Sequence, residues 1–268
     1  MKSRIIVAVL LVPLLLAVML LTPDICFAIV VAAISSTAAY EMLTVTNTHL
    51  GKWTTGCAVL SSAAIPMGAC FSVDISIIAI YCLVVLVFMR AVLAYKTEGQ
   101  VSFFSIVMIV FAGGIIPLLL SSLVELRVIG KTYALIPFVI AFLSDAGAYF
   151  IGLALGKRKL IPKISPKKTV EGSIGGFLVS TVAMLVYAAI LDRFFHMDVN
   201  YALALMYAIL GSAVTQFGDL AFSMIKRELE IKDFGELLAE HGGMLDRFDS
   251  MIFLAPLVLV LVNTIPVF

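Results

Sequence analysis

Charge is what this sequence has least of. Only 13% of its 268 residues are Asp, Glu, Lys or Arg, against 62% hydrophobic residues and a mean hydropathy of +1.15. No soluble domain of this size needs so many apolar side chains, so the composition excludes an ordinary soluble enzyme and points to a polytopic membrane protein. The net charge of +1 carries no message about nucleic acid, and no nucleic-acid partner is expected. Cysteine is also scarce. Cys26, Cys57, Cys70 and Cys82 lie in or beside apolar segments without C-x-x-C or metal-ligand spacing, which leaves them as small residues of the membrane core. A small-residue cleavage site is missing too. The opening MKSR and its apolar run are therefore read as a first helix and not as a removed signal peptide.

The fold class expected is all-α, with about nine transmembrane helices. Apolar runs place them near 5–21, 25–41, 54–71, 75–95, 102–124, 132–155, 171–192, 201–225 and 249–267. With the N-terminus inside, fifteen of the 18 Lys and Arg residues fall in inner segments, leaving Arg127, Lys131 and Arg193 outside. That asymmetry follows the positive-inside rule and puts the charged loops of the C-terminal half in the cytoplasm.

Two regions are expected. Residues 1–125 read as membrane scaffold, with lipid and subunit contacts. Glu41 ends the second span as an interfacial carboxylate, His49 and Trp53 lie at an interface, and Pro13, Pro66 and Pro117 are kinks tolerated within spans. Residues 126–268 carry the chemistry. Asp145, in the run SDAGAYFIG, stands inside the sixth span, where a carboxylate has to face a polar cavity or a cation. Lys157 to Lys159 suit anionic lipid. The following SPKKTVEG run places Ser165, a turn-stiffening Pro166, Lys167 and Lys168 as phosphate-binding charge, and Thr169 or Glu171 as a helix cap. Gly152 with Gly156, and Gly172 with Gly176, have the spacing of close helix packing.

In the eighth span Ser212, Thr215 with Gln216, Asp219 and Ser223 recur every three or four residues and share one face. The span runs into the densest charge of the chain, SMIKRELEIKDFGELLAEHGGMLDRFD from Ser223 to Asp249. This stretch holds Lys226, Arg227, Lys232, Arg247, His241 and the Gly242-Gly243 pair. Asp246 and Asp249, at i and i+3, lie on one helix face. Asp219, Asp246 and Asp249 together would form an oxygen-rich set suited to Mg²⁺. Cations beside paired carboxylates suit a metal-bound polyphosphate.

These residues resemble the phosphatidate cytidylyltransferases, the CDP-diacylglycerol synthases. The family pattern S-x-x-K-R-x4-K-D-x-G, then H-G-G-x-x-D-R-x-D, is met by Ser223, Lys226-Arg227, Lys232-Asp233, Gly235, His241-Gly242-Gly243, Asp246-Arg247 and Asp249. The runs from Ser144 to Tyr149 and from Ser165 to Gly172 are also similar to the family's. Ala239 departs from the Pro, Gly or Ser usual before the histidine turn.

The resemblance implies transfer of the cytidylyl group of CTP to phosphatidate. Asp219, Asp246, Lys226 and Arg227 would be catalytic. Lys167, Lys168, Ser165, Thr169, Arg247, His241 and Ser223 would hold substrate phosphates. Asp219, Asp246, Asp249 and Asp145 would face Mg²⁺ and a second cation such as K⁺. It also implies a homodimer, which the small-residue faces favour, in the inner membrane of a bacterium with the site facing the cytoplasm. Two rivals compete with this reading. One is a secondary transporter using Asp145 and Asp219, disfavoured because the polar residues crowd into one half of the chain. The other is a CTP-dependent polyprenol kinase, which would label its lipid with phosphate and not with cytidine.

Overall fold

A computed structural model of the chain describes residues 14–46, 51–71, 73–97, 100–235 and 242–268. It is built almost wholly of helices. A helical run over 14–21 precedes α1 (Asp24–Val45), α2 (Gly51–Phe71), α3 (Val73–Leu93), α4 (Phe103–Val110), a π-helical turn (Phe111–Ile115) and α5 (Ile116–Ile129). Then come α6 (Lys131–Leu155), the short strands β1 (Lys159–Ile161) and β2 (Ser165–Thr169), α7 (Val170–Phe195), α8 (Tyr201–Glu228) and α9 (Leu245–Thr264).

Among the described residues, seven helices are long and apolar enough to cross a membrane, α4 and α5 counting as one continuous helix. The chain is thus an all-α integral membrane protein. Of the nine spans read from hydropathy, 5–21 lies mostly outside the described residues. The ninth corresponds to α9, whose first two turns hold Asp246, Arg247 and Asp249.

The helices begin where the chemistry of their first residues directs. Ser102, Thr169 and Asn200 each accept a backbone N–H from the first turn of the helix that follows, at 3.0–3.2 Å. Of the two caps open for α7, Thr169 is the one used. The π-helical turn also has a local cause. Pro117 lacks the N–H that would bond one turn back, so the helix widens just before it and does not break. Gly113, in that turn, has no room for a side chain: a Cβ there would stand 2.8 Å from the Cβ of Ala58 in α2.

The chain divides into two compact units. The first is 1–131 with 231–248, and the second is 132–230 with 249–268. Residues 231–235 and 242–248 therefore group with the N-terminal helices, whereas the sequence places a single boundary near 125. In the first unit Arg127 is 5% exposed and closes the end of the 14–21 helix. Its guanidinium donates to the carbonyls of Met19 (2.6 Å) and Thr22 (2.9 Å) and pairs with Asp24 at 2.5 Å, while Lys131 donates to Leu20 O at 2.7 Å. Cations here satisfy the carbonyls that a helix leaves unbonded at its C-terminus.

Replacing Arg127 with Leu should lower stability by about 2–3 kcal/mol. That lies below the usual cost of breaking a buried pair, because Asp24 is 44% exposed. Thermal unfolding in detergent checks this, with Arg127→Lys expected between the two.

Candidate active site

The second unit contains a cavity of about 520 Å³ into which Asp145, Lys167, Lys168, Gln216 and Asp219 project. Three local features build it. First, α6 and α7 approach until only glycine fits between them. A Cβ on Gly147 would meet the side chain of Val179 at 2.6 Å, one on Gly172 the carbonyl of Ala148 at 2.7 Å, and one on Gly176 the carbonyl of Ser144 at 2.9 Å. The small-residue spacing seen in the sequence is a helix-packing face within the chain.

Second, the polar stripe of α8 is answered by hydroxyls on its neighbours. Ser144 of α6 bonds Ser212 at 2.9 Å. Gln216 accepts from Ser173 Oγ of α7 at 2.5 Å and donates back to Ser173 O at 3.2 Å and to Ser212 at 3.3 Å. Asp219 continues this face and accepts from Ser223 at 3.2 Å.

Third, the SPKK run forms β2, antiparallel to β1 with Lys159 opposite Thr169. Strand pairing was not anticipated from the sequence. Pro166 sits within this two-stranded edge, where its missing N–H does no harm. The hairpin lays Lys168 against Asp219, Nζ to carboxylate 2.5 Å, with both side chains about a quarter to a third exposed. Lys167 lines the same cavity. Glu171 takes the backbone N–H groups of Lys157 (3.0 Å) and Arg158 (3.1 Å), tying the start of the hairpin to α7. Arg227 donates to Ile164 O at 3.2 Å, tying the hairpin loop to the end of α8. A tether by Arg227 was not foreseen.

Asp145 opens into this cavity, as a carboxylate in mid-span must. Asp249 is buried at 8% exposure and accepts from Ser250 N at 2.7 Å; it lies within the electrostatic reach of Asp219, Lys226 and Asp145. Gly218 brings α8 and α9 together there, since a Cβ on it would stand 3.1 Å from Ser250 Cα. Ser165 and Thr169 are placed on β2, Thr169 as the cap already described; Lys226 is half-buried in the last turn of α8, and Arg247 is exposed in the first turn of α9.

The first unit holds Asp246 in a tight turn. Its Oδ2 accepts from Phe234 N at 2.8 Å and from Gly243 N at 3.0 Å. Gly242, at φ +76°, supplies a backbone conformation that other residues rarely take, and a Cβ there would stand 3.1 Å from the Asp246 carboxylate. Glu41 of α1 is not the interfacial carboxylate expected from the sequence. It is 6% exposed and accepts from Met244 N and Leu245 N, each at 2.9 Å. Nothing in the sequence around Glu41 signals a partner 203 residues away. His241, with Ala239, lies outside the described residues.

Among the described residues no group of three His, Cys, Asp or Glu side chains is placed to hold a metal ion. The carboxylates that line the cavity, Asp145 and Asp219, offer oxygen donors, the type that hard cations take. Mg²⁺ bound together with a nucleotide uses only one or two carboxylates beside phosphate and water. The donor set fits that mode.

The chain belongs to the cytidylyltransferase family, whose model matches residues 2–265. Among its relatives, a phosphatidate cytidylyltransferase of Bacillus subtilis (strain 168) is 44% identical over 127 residues, covering 47% of this chain and 46% of that relative. One from Staphylococcus epidermidis (strain ATCC 12228 / FDA PCI 1200) is 44% identical over 137 residues, 51% of each chain. One from Staphylococcus aureus (strain COL) is 42% identical over 137 residues, again 51% of each. The chain thus spans about half the length of the curated relatives it matches.

Because Gly172 leaves no space at Ala148, Gly172→Ala should force α6 and α7 apart and destabilise the second unit by about 1–3 kcal/mol, the usual cost of overpacking. The measurement is the detergent unfolding midpoint, with Ile174→Ala, at an exposed position of the same helix, as the comparison.

Proposed function

We propose that this chain transfers the cytidylyl group of CTP to phosphatidate, giving CDP-diacylglycerol and pyrophosphate. One observation carries the reading. The cavity sets Lys167, Lys168, Asp145 and Asp219 beside Tyr149 and Leu153, so phosphate-binding charge and apolar surface share one space. A phospholipid phosphate with its acyl chains outside needs that combination. The family membership and its phosphatidate cytidylyltransferase relatives support the same chemistry.

In this reaction an oxygen of the phosphatidate phosphate attacks the α-phosphorus of CTP. The bond from the α-phosphorus to the bridging oxygen breaks, and pyrophosphate leaves with that electron pair. The nucleophile is already anionic, so no serine or cysteine has to be activated. The difficulty is mutual repulsion of two polyanions, which fixed cations relieve and align. Lys167 and Lys168 supply that charge from β2, and Lys226 and Arg227 from the end of α8; the family resemblance adds Arg247, which lies in the first unit. Ser165, Thr169, Ser223 and His241 complete the proposed phosphate contacts, although Thr169 Oγ1 is already occupied as a cap. Lys168 is held by Asp219 in an orientation that faces the cavity.

Within the second unit Asp219 and Asp249 would hold Mg²⁺, with a second cation, such as K⁺, near Asp145; Asp246, in the first unit, is assigned to the metal by the family resemblance. When bound, the metal would neutralise charge on the triphosphate. One oxygen of Asp246 and one of Asp249 are engaged with backbone N–H groups, which fixes the direction in which each carboxylate points.

We place the protein in the bacterial inner membrane with this site facing the cytoplasm, on the Lys and Arg asymmetry of the loops. The homodimer rests on the family resemblance alone. Gly152, Gly156, Gly172 and Gly176, which could have served as an interface, meet neighbours within the chain.

Purified protein with [α-³²P]CTP, phosphatidate and Mg²⁺ should place label in chloroform-extractable lipid, and EDTA should abolish it. Label that enters lipid only from [γ-³²P]CTP would establish a kinase instead. Asp246→Asn should bring transfer to background while the protein stays folded. Lys168→Met should lower it by about 10²-fold, the scale of losing one preorganised charge contact.

A further inference from the structure

We infer that Glu41 is a positioning residue for Asp246: it fixes the turn from which that carboxylate projects. The inference rests on the reading of Asp246 given above, but its geometry lies wholly within the first unit.

At the start of α9 three consecutive backbone N–H groups are taken by two carboxylates. Gly243 N donates to Asp246 Oδ2 at 3.0 Å, Met244 N to Glu41 Oε1 at 2.9 Å and Leu245 N to Glu41 Oε2 at 2.9 Å. A helix leaves its first N–H groups without internal partners, and a carboxylate there also meets the positive end of the helix dipole. Glu41 therefore clamps the two peptide units immediately ahead of Asp246. Asp246 Oδ2 then bridges the same turn to Phe234 N at 2.8 Å. The direction of the Asp246 side chain is set jointly by its own two bonds and by the two that Glu41 supplies from α1.

The loop is shaped to admit this carboxylate. A Cβ on Gly235 would stand 2.5 Å from Glu41 Oε1, and one on Gly243 2.4 Å from Glu41 Oε2. Neither glycine has a positive φ, so the reason for glycine at both positions is the space that Glu41 occupies. Glutamine cannot replace it fully. Its amide carries one acceptor oxygen, and its NH₂ would face a backbone donor. A residue that only capped the helix would affect how much protein folds. A positioning residue also affects what each folded molecule does.

Glu41→Gln and Gly235→Ala should each lower kcat per folded molecule by about tenfold, the range in which supporting residues act on a site, with KM for phosphatidate unchanged. Hydrogen exchange of the full-length protein in detergent should speed up in peptides covering 242–246 and stay as in the wild type over the rest of α9. Gly235→Ala added to Glu41→Ala should cost nothing further, because the space it needs is already vacant. Unchanged kcat per folded molecule in Glu41→Gln, or additive losses in the double variant, would overturn the inference. If the wild type transfers no label, the cytidylyl reading fails. The exchange measurement then decides on Glu41 alone, and unchanged exchange at 242–246 in Glu41→Gln overturns it.

Discussion

An ionised carboxylate inside an apolar bundle is tolerable only when cations or donors surround it, and Asp219 is where the second unit meets that requirement. Lys168 has to reach it from a segment outside the helices, at 2.5 Å. That reach depends on the hairpin, and the hairpin depends on tethers at each end: Glu171 on the N–H groups of Lys157 and Arg158, Thr169 at the start of α7, and Arg227 on Ile164. Close packing of α6 on α7 through glycine brings these parts within range of α8. The ion pair is thus the point on which several otherwise weak interactions converge.

In the first unit Glu41 and Asp246 find different partners. Glu41 and Asp246 are met by main-chain N–H groups, three from the turn that opens α9 and one from Phe234. Backbone donors bring no mobile side chain and no side-chain entropy to be lost, so they hold a carboxylate in one direction. A carboxylate expected to receive phosphate-bound cations gains from that, because its own orientation is settled beforehand.

Much of this was legible in the sequence. Helix positions followed from apolar run length and came within a few residues of the observed bounds. The three-to-four spacing of Ser212, Thr215 with Gln216, Asp219 and Ser223 located a face on which Ser212, Gln216, Asp219 and Ser223 are hydrogen-bonded, while the buried Thr215 hydroxyl is not. Mid-span Asp145 lines a cavity shared with Lys167, Lys168 and Asp219. What escaped were contacts between residues far apart in the chain. Glu41 meets Leu245 across 204 positions and Arg127 meets Met19 across 108, and neither residue has a local pattern to betray its partner. The β-hairpin escaped for another reason: a proline and two lysines carry no strand preference, and the pairing is imposed by the helices on either side. The division of the chain was hidden likewise, since 231–248 clusters with helices encoded far upstream.

The zipped connection between α6 and α7 has a mechanical consequence. An open loop of that length would act as slack, letting the two helices tilt or slide independently. Here strand pairing, the Glu171 bonds and the meshed glycines Gly152, Gly156 and Gly172 take up the slack from one helix end to the other. The joint is a stiff bracket. Any opening and closing of the neighbouring cavity has to come from side chains at its rim, such as Tyr149 and Leu153, or from α8, and not from a hinge in this loop.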